Sequence, residues 1–207
     1  PLKMKWASQC AIHLAKRTDL LKIVIDSGCD LMSFGVESIQ QEAINSLDKP
    51  WLKANEHEQN IKILSRYGIT VSTEMIVGTD HDTEESIRET YSFINRNKVP
   101  IPRFYILTPI PGTELHKELK QQGRMLTDDL RLFDGTRCVH KPLQMEPEKL
   151  TEMYWWLNRK VFSIKSICHR ILFNRSLWMN PKMLLFSLAI NLHYRRYVKR
   201  KITPNIF

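Results

Sequence analysis

Four short strand-like segments occur in a fixed order between residues 5 and 113, and a helix-like stretch follows each of them. Each segment ends in a polar, glycine-rich or proline-rich tip: KWASQC, LMSFGVES, GITVSTEMIVGTD and PRFYILTPIPGT. Strands that alternate with helices pair in parallel, because the helix returns the chain to the same end of the sheet. Since a closed (β/α) barrel has eight such units, four units in about 120 residues predict half of a barrel.

Local signals set the expected boundaries of these elements. Strands are predicted over residues 3–9, 31–37, 69–77 and 103–108, and helices over 18–26, 53–66, 82–97, 113–123 and 148–161. Thr18 and Thr113 are expected N-caps, and Asp82 with Glu85 has the spacing of a capping box. Gly28 follows the first helix at the position where a positive φ commonly ends a helix.

The basic charge of the chain is concentrated at its C-terminal end. The net charge is +9, and residues 151–207 alone hold eleven Lys or Arg side chains against one acid, Glu152. This segment is helical by composition, with a break near Asn180 and Pro181. We therefore expect three parts: a barrel half over 1–125, a connecting segment with a helix over 126–162, and a basic aromatic helical tail over 163–207.

Two carboxylates fall on strand faces that are expected to line the barrel interior. In the second strand, residues 32, 34 and 36 are apolar, whereas Ser33, Gly35 and Glu37 are small or polar, so alternation separates the two sets. Glu37 either accepts hydrogen bonds from a ligand or stabilises the start of the next helix. Glu74 lies within a β-branched, apolar run, and burying an unpaired carboxylate there is costly. Glu74 therefore either binds a ligand or belongs to a buried ion pair.

Other polar residues near the strand tips allow more than one interpretation. Lys49 precedes Pro50 and could reach the tips to bind a carboxylate, or could be an ordinary surface lysine. Asp80, His81 and Asp82 are potential metal ligands, but three adjacent residues do not easily converge on one ion. A solvated capping loop is the favoured interpretation of that triplet.

The cysteines give no sign of a metal site or a disulfide framework. Cys10, Cys29, Cys138 and Cys168 show neither CxxC nor CxxxCxxC spacing, so no zinc or iron–sulfur ligand set is predicted among them. Free cysteines pack as small apolar side chains, and a reducing cytoplasmic location is expected. No run of about 18 apolar residues occurs that would predict a membrane-spanning helix.

Taken together, the blocks resemble the radical S-adenosylmethionine (SAM) superfamily, in particular the branch with a cobalamin-binding domain that includes hopanoid C-methylases. The similarity covers about residues 1–160 and is carried by KWASQC, GCDLMSFGVESI, GITVSTEMIVGTDHDT, ILTPIPGTELHKEL, RLFDGTRCVHKP and MEPEKL. It implies an α/β fold, namely the C-terminal half of a (β/α) radical SAM partial TIM barrel followed by a helical C-terminal extension. The implied activity is 5′-deoxyadenosyl radical chemistry, with cobalamin-dependent methyl transfer or rearrangement as the reaction.

The resemblance also implies roles in cofactor binding for individual residues. Gln9 and Glu37 match positions that contact the ribose and the amino-acid part of SAM. Lys49 matches a basic residue that can reach the methionine carboxylate, and Glu74 matches a ribose-binding acid. The role of Gln9 depends on the resemblance alone, whereas alternation independently indicates that Glu37 and Glu74 face the interior.

The remaining implications concern adenine and the other cofactors. The backbone of Leu107 and Thr108 matches the strand tip that pairs with adenine. SAM, a [4Fe–4S] cluster and cobalamin are the implied cofactors, yet the CxxxCxxC cluster loop of the family does not occur in the 207 residues. We therefore expect a fragment of a longer enzyme, inactive by itself, whose upstream part carries the cluster and cobalamin domains. No catalytic residue or metal ligand is assigned within these residues.

The tail supports a competing hypothesis, in which the chain is a non-catalytic interaction module. Aromatic residues interleave with basic ones over 163–207, which suits peripheral contact with anionic lipid, a nucleic-acid surface, or a basic lid packed on the barrel. The aromatic spacing is helical and does not resemble a base-stacking platform, which disfavours nucleic acid. A small molecule or a lipid is the expected substrate class.

Overall fold

The computed structural model describes residues 4–204, and this part of the chain contains a four-stranded parallel sheet. The strands are β1 (Trp6–Ala11), β2 (Cys29–Glu37), β3 (Thr70–Val77) and β4 (Ile101–Ile106), hydrogen-bonded in the order β1-β2-β3-β4. The α/β class, the number of strands and their parallel pairing are confirmed. The predicted ends of β1 and β4 were wrong by two or three residues, because pairing with the neighbouring strand sets them. Lys3, where the first strand was expected to begin, lies outside the described residues.

Helices connect the strands and continue after the sheet. They are α1 (Thr18–Asp26), α2 (Gln41–Ser46), α3 (His57–Arg66), α4 (Glu84–Arg96), α5 (Glu114–Gln121), α6 (Pro147–Val161), α7 (Ile164–Leu172), α8 (Arg175–Trp178) and α9 (Pro181–Lys199). The helix expected from residue 53 begins only at His57, after a 3-10 turn over Ala54–Glu56. The predicted break in the tail is confirmed, because Asn180 caps α9 and Pro181 is its first residue.

Two of the predicted N-caps were wrong by one residue. Thr18 is the first residue of α1, and the cap position is Arg17, which makes no side-chain cap bond. The capping box at α4 is formed by Thr83 and Ser86 rather than by Asp82 and Glu85. By contrast, the Thr113 side chain accepts a hydrogen bond from the amide of His116, as expected for the cap of α5.

Gly28 ends the first helix with a backbone φ of +102°. A Cβ atom at this position would overlap the carbonyl oxygen of Met4, so the chain can only turn from α1 into β2 here with a glycine. The predicted helix stop is therefore confirmed, with a steric reason that the sequence did not contain.

The main hydrophobic core lies between the sheet and its helices. Met32, Phe34 and Val36 of β2 are buried in one cluster with Leu64 of α3 and Ile94 of α4. The apolar face predicted by the alternation of β2 is therefore the face that packs against the helices. The opposite face carries Ser33, Gly35 and Glu37, which leaves it available for a polar site.

The connecting segment and α6 pack on the same body. Met125 and His140 form an antiparallel bridge, and the indole of Trp155 donates to the carbonyl oxygen of Thr136 at 3.0 Å. The Tyr154 hydroxyl on α6 donates to the carbonyl oxygen of Phe104 in β4 at 3.3 Å. These contacts hold α6 against β4, the last strand of the sheet.

The tail is anchored by a buried arginine. Arg170 of α7 is fully buried, and its guanidinium donates to the carbonyl oxygens of Val99, Pro100 and Val161 and to Oδ1 of Asn191, at 2.7–3.1 Å. The tail is thus part of the folded body and ties α7 and α9 to the start of β4. No helix among residues 4–204 has both the length and the hydropathy needed to cross a bilayer.

Candidate functional site

A cavity of about 480 Å³ opens at the carboxyl ends of β1, β2 and β3. Its lining includes Gln9 from β1, Glu37 from β2, Glu74 from β3 and Lys49 from the loop after α2. The structure therefore brings together four of the six predicted cofactor-binding residues, at the end of the sheet where barrel enzymes carry their sites.

Glu37 lies at an irregular strand end that aims its side chain into this cavity. Gly35 pairs with Glu74 and Glu37 with Met75, so β2 has one extra residue here, and Glu37 takes a positive φ of 62°. Such a bulge redirects the side chain that follows it. The carboxylate turns back over Gly35, where a Cβ atom would overlap Oε1 of Glu37.

Lys49 supplies the counter-charge of Glu37. Its Nζ lies 2.5 Å from Oε1 of Glu37, a carboxylate that is almost completely buried. The Lys49 side chain is 39% exposed. Of the two interpretations left open by the sequence, Lys49 does reach the strand tips, and the carboxylate it binds in this structure is Glu37. The cavity wall thus presents an ammonium and a carboxylate next to each other.

Glu74 forms an ion pair inside the protein, which is one of the two alternatives that the sequence left open, and its role in binding a ligand stays a prediction. Arg103 on β4 is buried and donates from Nη2 to Oε1 of Glu74, and the Ser33 hydroxyl donates to the same oxygen at 2.5 Å. Arg103 also donates to the Ser33 hydroxyl oxygen at 3.1 Å. The three side chains form a closed network across β2, β3 and β4.

The second carboxylate oxygen of Glu74 is not used by this network. Within residues 4–204 the side-chain hydrogen bonds to Glu74 end on Oε1, and the side chain is 19% exposed at the cavity. Oε2 is therefore able to accept hydrogen bonds from a ligand while Arg103 fixes the direction of the carboxylate.

Arg103 is the main residue that the sequence reasoning missed. It stands directly opposite Glu74 in the parallel register of β3 and β4. Phe104 and Ile106 in the same strand are apolar and buried. A charged Arg103 within such a strand could have been recognised from the sequence as a residue that needs a partner. Finding its partner required the register, which the sequence does not give.

Leu107 and Thr108 are not among the residues that line the cavity. They follow the end of β4, where the Leu107 amide donates to the carbonyl oxygen of Val77 at 2.8 Å. The Thr108 hydroxyl donates to the carbonyl oxygen of Ile106 at 3.0 Å. The structure places both residues at the tip of the strand next to Glu74, but does not bring them into one cavity with the other four.

The loop after β3 is organised by its two aspartates. Oδ2 of Asp82 accepts hydrogen bonds from the amides of Gly78 and Thr79 at 2.9 Å. Asp80 forms an ion pair with Arg124; burial by itself would raise the pKa of Asp80, but the hydrogen bonds from Arg124 lower it overall. Across residues 4–204 no three His, Cys, Asp or Glu side chains are arranged to hold a metal ion. The loop is thus a capped turn, although Asp82 is buried rather than solvated.

Two buried histidines, also missed as site-related residues, support the strand tips from behind. His57 lies with Nε2 3.1 Å from the carbonyl oxygen of Ser38, just after β2. His140 lies with Nε2 3.1 Å from the carbonyl oxygen of Gly78, just after β3. Burial lowers the pKa of both imidazoles below 6.5, so they are neutral at neutral pH. Each histidine fixes the backbone next to one of the acid-bearing strands.

Comparisons with known proteins identify relatives of the whole chain. No family model matches it. The chain is 29% identical over 206 residues to bacteriochlorophyllide d C-12(1)-methyltransferase of Chlorobaculum tepidum, which covers all of this chain and 43% of that protein. It is 25% identical over 198 residues to bacteriochlorophyllide d C-8(2)-methyltransferase of the same organism, covering 91% of this chain and 42% of that protein. The chain therefore spans less than half the length of these curated relatives.

Two further similarities extend the set. Hopanoid C-2 methylase of Rhodopseudomonas palustris is 26% identical over 129 residues, covering 62% of this chain and 24% of that protein. The solved structure of the radical SAM methyltransferase TsrM from Kitasatospora setae, with cobalamin and a [4Fe–4S] cluster bound, superposes with a TM-score of 0.52. That likeness, at 16% identity, covers 73% of this chain and 30% of TsrM, and it supports the fold.

These findings confirm the resemblance inferred from the sequence blocks. The curated relatives described above are methyltransferases or a methylase, TsrM is a radical SAM methyltransferase, and the matched regions fall mostly in the C-terminal part of each. The α/β fold with a parallel sheet is shared with a solved member of that group. Cobalamin and a [4Fe–4S] cluster are bound in the TsrM structure, and its description as a radical SAM enzyme implies SAM as a cofactor of TsrM.

Proposed function

We propose that this chain forms the SAM-binding half-barrel of a cobalamin-dependent radical SAM methyltransferase. The observation that carries the proposal is the convergence of Gln9, Glu37, Lys49 and Glu74 on one cavity at the carboxyl ends of three parallel strands. Alternation had indicated Glu37 and Glu74, and the family resemblance had indicated all four residues. Methyl transfer is the favoured reaction because two curated relatives that match more than nine-tenths of this chain bear methyltransferase names.

The cavity fits SAM in size and in charge. Its volume of about 480 Å³ lies within the range of about 300–1,000 Å³ that is typical of small-molecule sites. The amino-acid part of SAM carries an ammonium and a carboxylate, and the adjacent Glu37 and Lys49 offer the opposite charges. SAM would therefore exchange the internal ion pair for two external ones of the same kind.

Each residue then has a defined task. Glu37 holds the ammonium of the methionine part and Lys49 its carboxylate. Oε2 of Glu74 accepts hydrogen bonds from the ribose hydroxyls, with its direction fixed by Arg103. Gln9 contributes an amide from the opposite wall, and the backbone of Leu107 and Thr108 approaches the adenine from the neighbouring strand tip.

The other cofactors are not assigned to residues of this chain. When bound next to a reducing [4Fe–4S] cluster, SAM supplies carbon-radical chemistry, but the 207 residues contain no CxxxCxxC ligand set. Because the relatives match mostly through their C-terminal parts, we propose that cluster and cobalamin domains of the full protein lie upstream of this sequence. The division into a barrel half (1–125), a connecting segment (126–162) and a tail (163–207) is part of the same proposal.

The test is direct binding of SAM to the full chain by isothermal titration calorimetry. Glu74→Gln keeps the size of the side chain but removes the charge, and it should weaken SAM binding by about tenfold, as expected for a lost hydrogen bond to a charged group. Glu84→Gln on α4 is the matched control, because Glu84 is exposed and outside the cavity. Equal affinity of the Glu74→Gln and Glu84→Gln variants would refute the assignment of the cavity to SAM.

A second candidate function, contact of the tail with a membrane surface, is favoured by a separate observation. After Glu152 the chain has no acidic residue, and several large apolar side chains of the tail are exposed. Since α7 and α9 are also anchored in the fold, the tail offers a fixed surface rather than a free amphipathic arm. This function is compatible with SAM binding, because the two surfaces share no residue.

A further inference from the structure

The turn between α7 and α9 lies at the opposite end of the sheet from the cavity. Asn174 donates to the carbonyl oxygen of Lys98 at 2.9 Å, just before β4 begins. Asn180 approaches Oδ1 of Asp30, near the start of β2, at 3.5 Å. Because the cavity lies at the carboxyl ends of the strands, this turn marks the basal face of the molecule.

Three large apolar side chains project from this turn into solvent. Phe173 is 66%, Trp178 61% and Met179 81% exposed. The backbone that carries them is well held, because Asn174 and Asn180 cap α8 and α9 and Leu177 is buried between them. These side chains are therefore presented outward by a rigid turn and cannot be explained by a poorly packed segment.

Basic side chains surround the apolar ones. Phe173 and Met179 share a shallow groove of about 380 Å³ with Arg66, Lys98 and Arg175. Within residues 4–204 none of these three basic groups forms a salt bridge. We call Phe173, Trp178, Met179, Arg66, Lys98 and Arg175 together the basal patch.

We propose that the basal patch docks the protein on the surface of an anionic phospholipid bilayer. Unpaired cations attract anionic headgroups, and aromatic and Met side chains enter the boundary between headgroups and acyl chains. This inference rests on the membrane contact proposed above and makes it more specific. It assigns the contact to the six residues of the basal patch, of which four belong to the tail. The cavity, at the other end of the strands, then opens away from the membrane surface.

The partner is identified by the combination of charge and apolar shape. A nucleic acid would use the cations and could stack a base on an aromatic ring, but it would leave Met179, which is 81% exposed and has no aromatic face, in water. A bilayer interface satisfies both groups at once, because its surface is anionic and its first few ångströms are apolar. The chain contributes no acid to this face after Glu152, and the carboxylate of Asp30, which lies next to Asn180, is paired with Lys5 at 2.8 Å.

The experiment is co-sedimentation of the full chain with vesicles of pure phosphatidylcholine or of an equal mixture with phosphatidylglycerol. We expect binding to the anionic vesicles only, and weaker binding at high salt because surface charges are screened. Arg66→Gln with Arg175→Gln should lower the partition coefficient about fivefold for each charge removed. Phe173→Ser with Met179→Ser should lower it at least as much, through loss of the buried apolar area.

Leu130→Ser with Leu143→Ser is the matched control, since both leucines are as exposed as Phe173 but lie in the connecting segment. Deleting residues 163–207 is unsuitable, because it would remove the buried Arg170 and Tyr194.

Equal pelleting of all variants, or no binding to anionic vesicles, overturns the proposal. So does a change of oligomeric state in the Phe173 and Met179 variant without any effect on vesicles, since the patch would then join copies of the chain. SAM affinity, measured on the same variants, should not change, so failure of one proposal is distinguishable from failure of the other.

Discussion

Glu74 and Arg103 stand opposite each other on β3 and β4, and the arginine binds one oxygen of the carboxylate while the other oxygen is left for the cavity. Burying either charge alone would cost several kcal/mol. The pair therefore makes it possible to hold an ionised carboxylate on the interior face of a β-branched strand. It also fixes the direction in which that carboxylate can accept a ligand.

Removing Arg103 should destabilise the fold more than removing the charge of Glu74. We expect Arg103→Met to lower the free energy of unfolding by about 3–5 kcal/mol, because Glu74 is left without a partner. Combining Arg103→Met with Glu74→Gln should recover part of that loss. Urea unfolding of the two single variants and the double variant measures the coupling. Simple additivity of the two losses would show that the pair contributes no coupling energy.

Gly35 should be required for the position of Glu37 rather than for the fold. A methyl group there overlaps the end of the flexible Glu37 side chain and no backbone atom. We expect Gly35→Ala to change stability by less than about 1 kcal/mol, because the side chain can move. SAM affinity should fall severalfold, since Glu37 is displaced from Lys49. Calorimetry and thermal unfolding separate the two effects, and an unchanged affinity would exclude Glu37 from the site.

The two buried histidines should make the stability fall as the pH drops below about 6.5. Burial lowers the folded-state pKa of His57 and of His140, so the unfolded chain binds protons that the folded chain does not. Their full contribution to stability is present above the unfolded-state pKa of about 6.5 and is lost as the pH falls below it, by up to about 1.4 kcal/mol per pH unit for each histidine.

Urea unfolding at several pH values checks this dependence. His140→Gln should flatten the slope, and His81→Gln, a substitution of an exposed histidine, is the matched control. A slope that is the same in both variants would mean that His140 titrates normally in the folded protein.

Most of the architecture followed from local signals in the sequence, whereas the partners in the site did not. Period-two alternation put Glu37 and Glu74 on the interior face, and both line the cavity. The capping box at α4 was predicted one residue early because Asp82 resembles a cap, yet its carboxylate is bound by the amides of Gly78 and Thr79. A residue is an N-cap only if its side chain faces the free amides of the first helical turn. The residue type alone does not show which amides the side chain faces.

The pairings of Arg103 and of the two histidines depend on contacts between distant parts of the chain. Arg103 and Glu74 meet through strand register, and His140 reaches Gly78 across 62 residues. No local periodicity encodes such contacts. Lys49 was ambiguous for the same reason, since only the fold of its loop brings it to Glu37. Gln9 was indicated by resemblance alone. Most residues of β1 are exposed, so apolar and polar side chains do not alternate clearly along this strand.

Arg170 should determine whether α7–α9 stay packed against the sheet and its helices. Its guanidinium is fully buried without an acidic partner and binds three backbone carbonyls and Asn191. Burial lowers the pKa of Arg170 to about 9, so it remains charged at neutral pH. We expect Arg170→Met to lower the free energy of unfolding by about 3 kcal/mol, because a similar apolar shape leaves buried carbonyls without donors.

Limited proteolysis of the Arg170→Met variant should cut first within α7–α9, since these helices would open before the sheet. Lys165→Met on the same helix is the control, because Lys165 is exposed. Equal stability of the two variants would show that the tail is held by its apolar contacts alone.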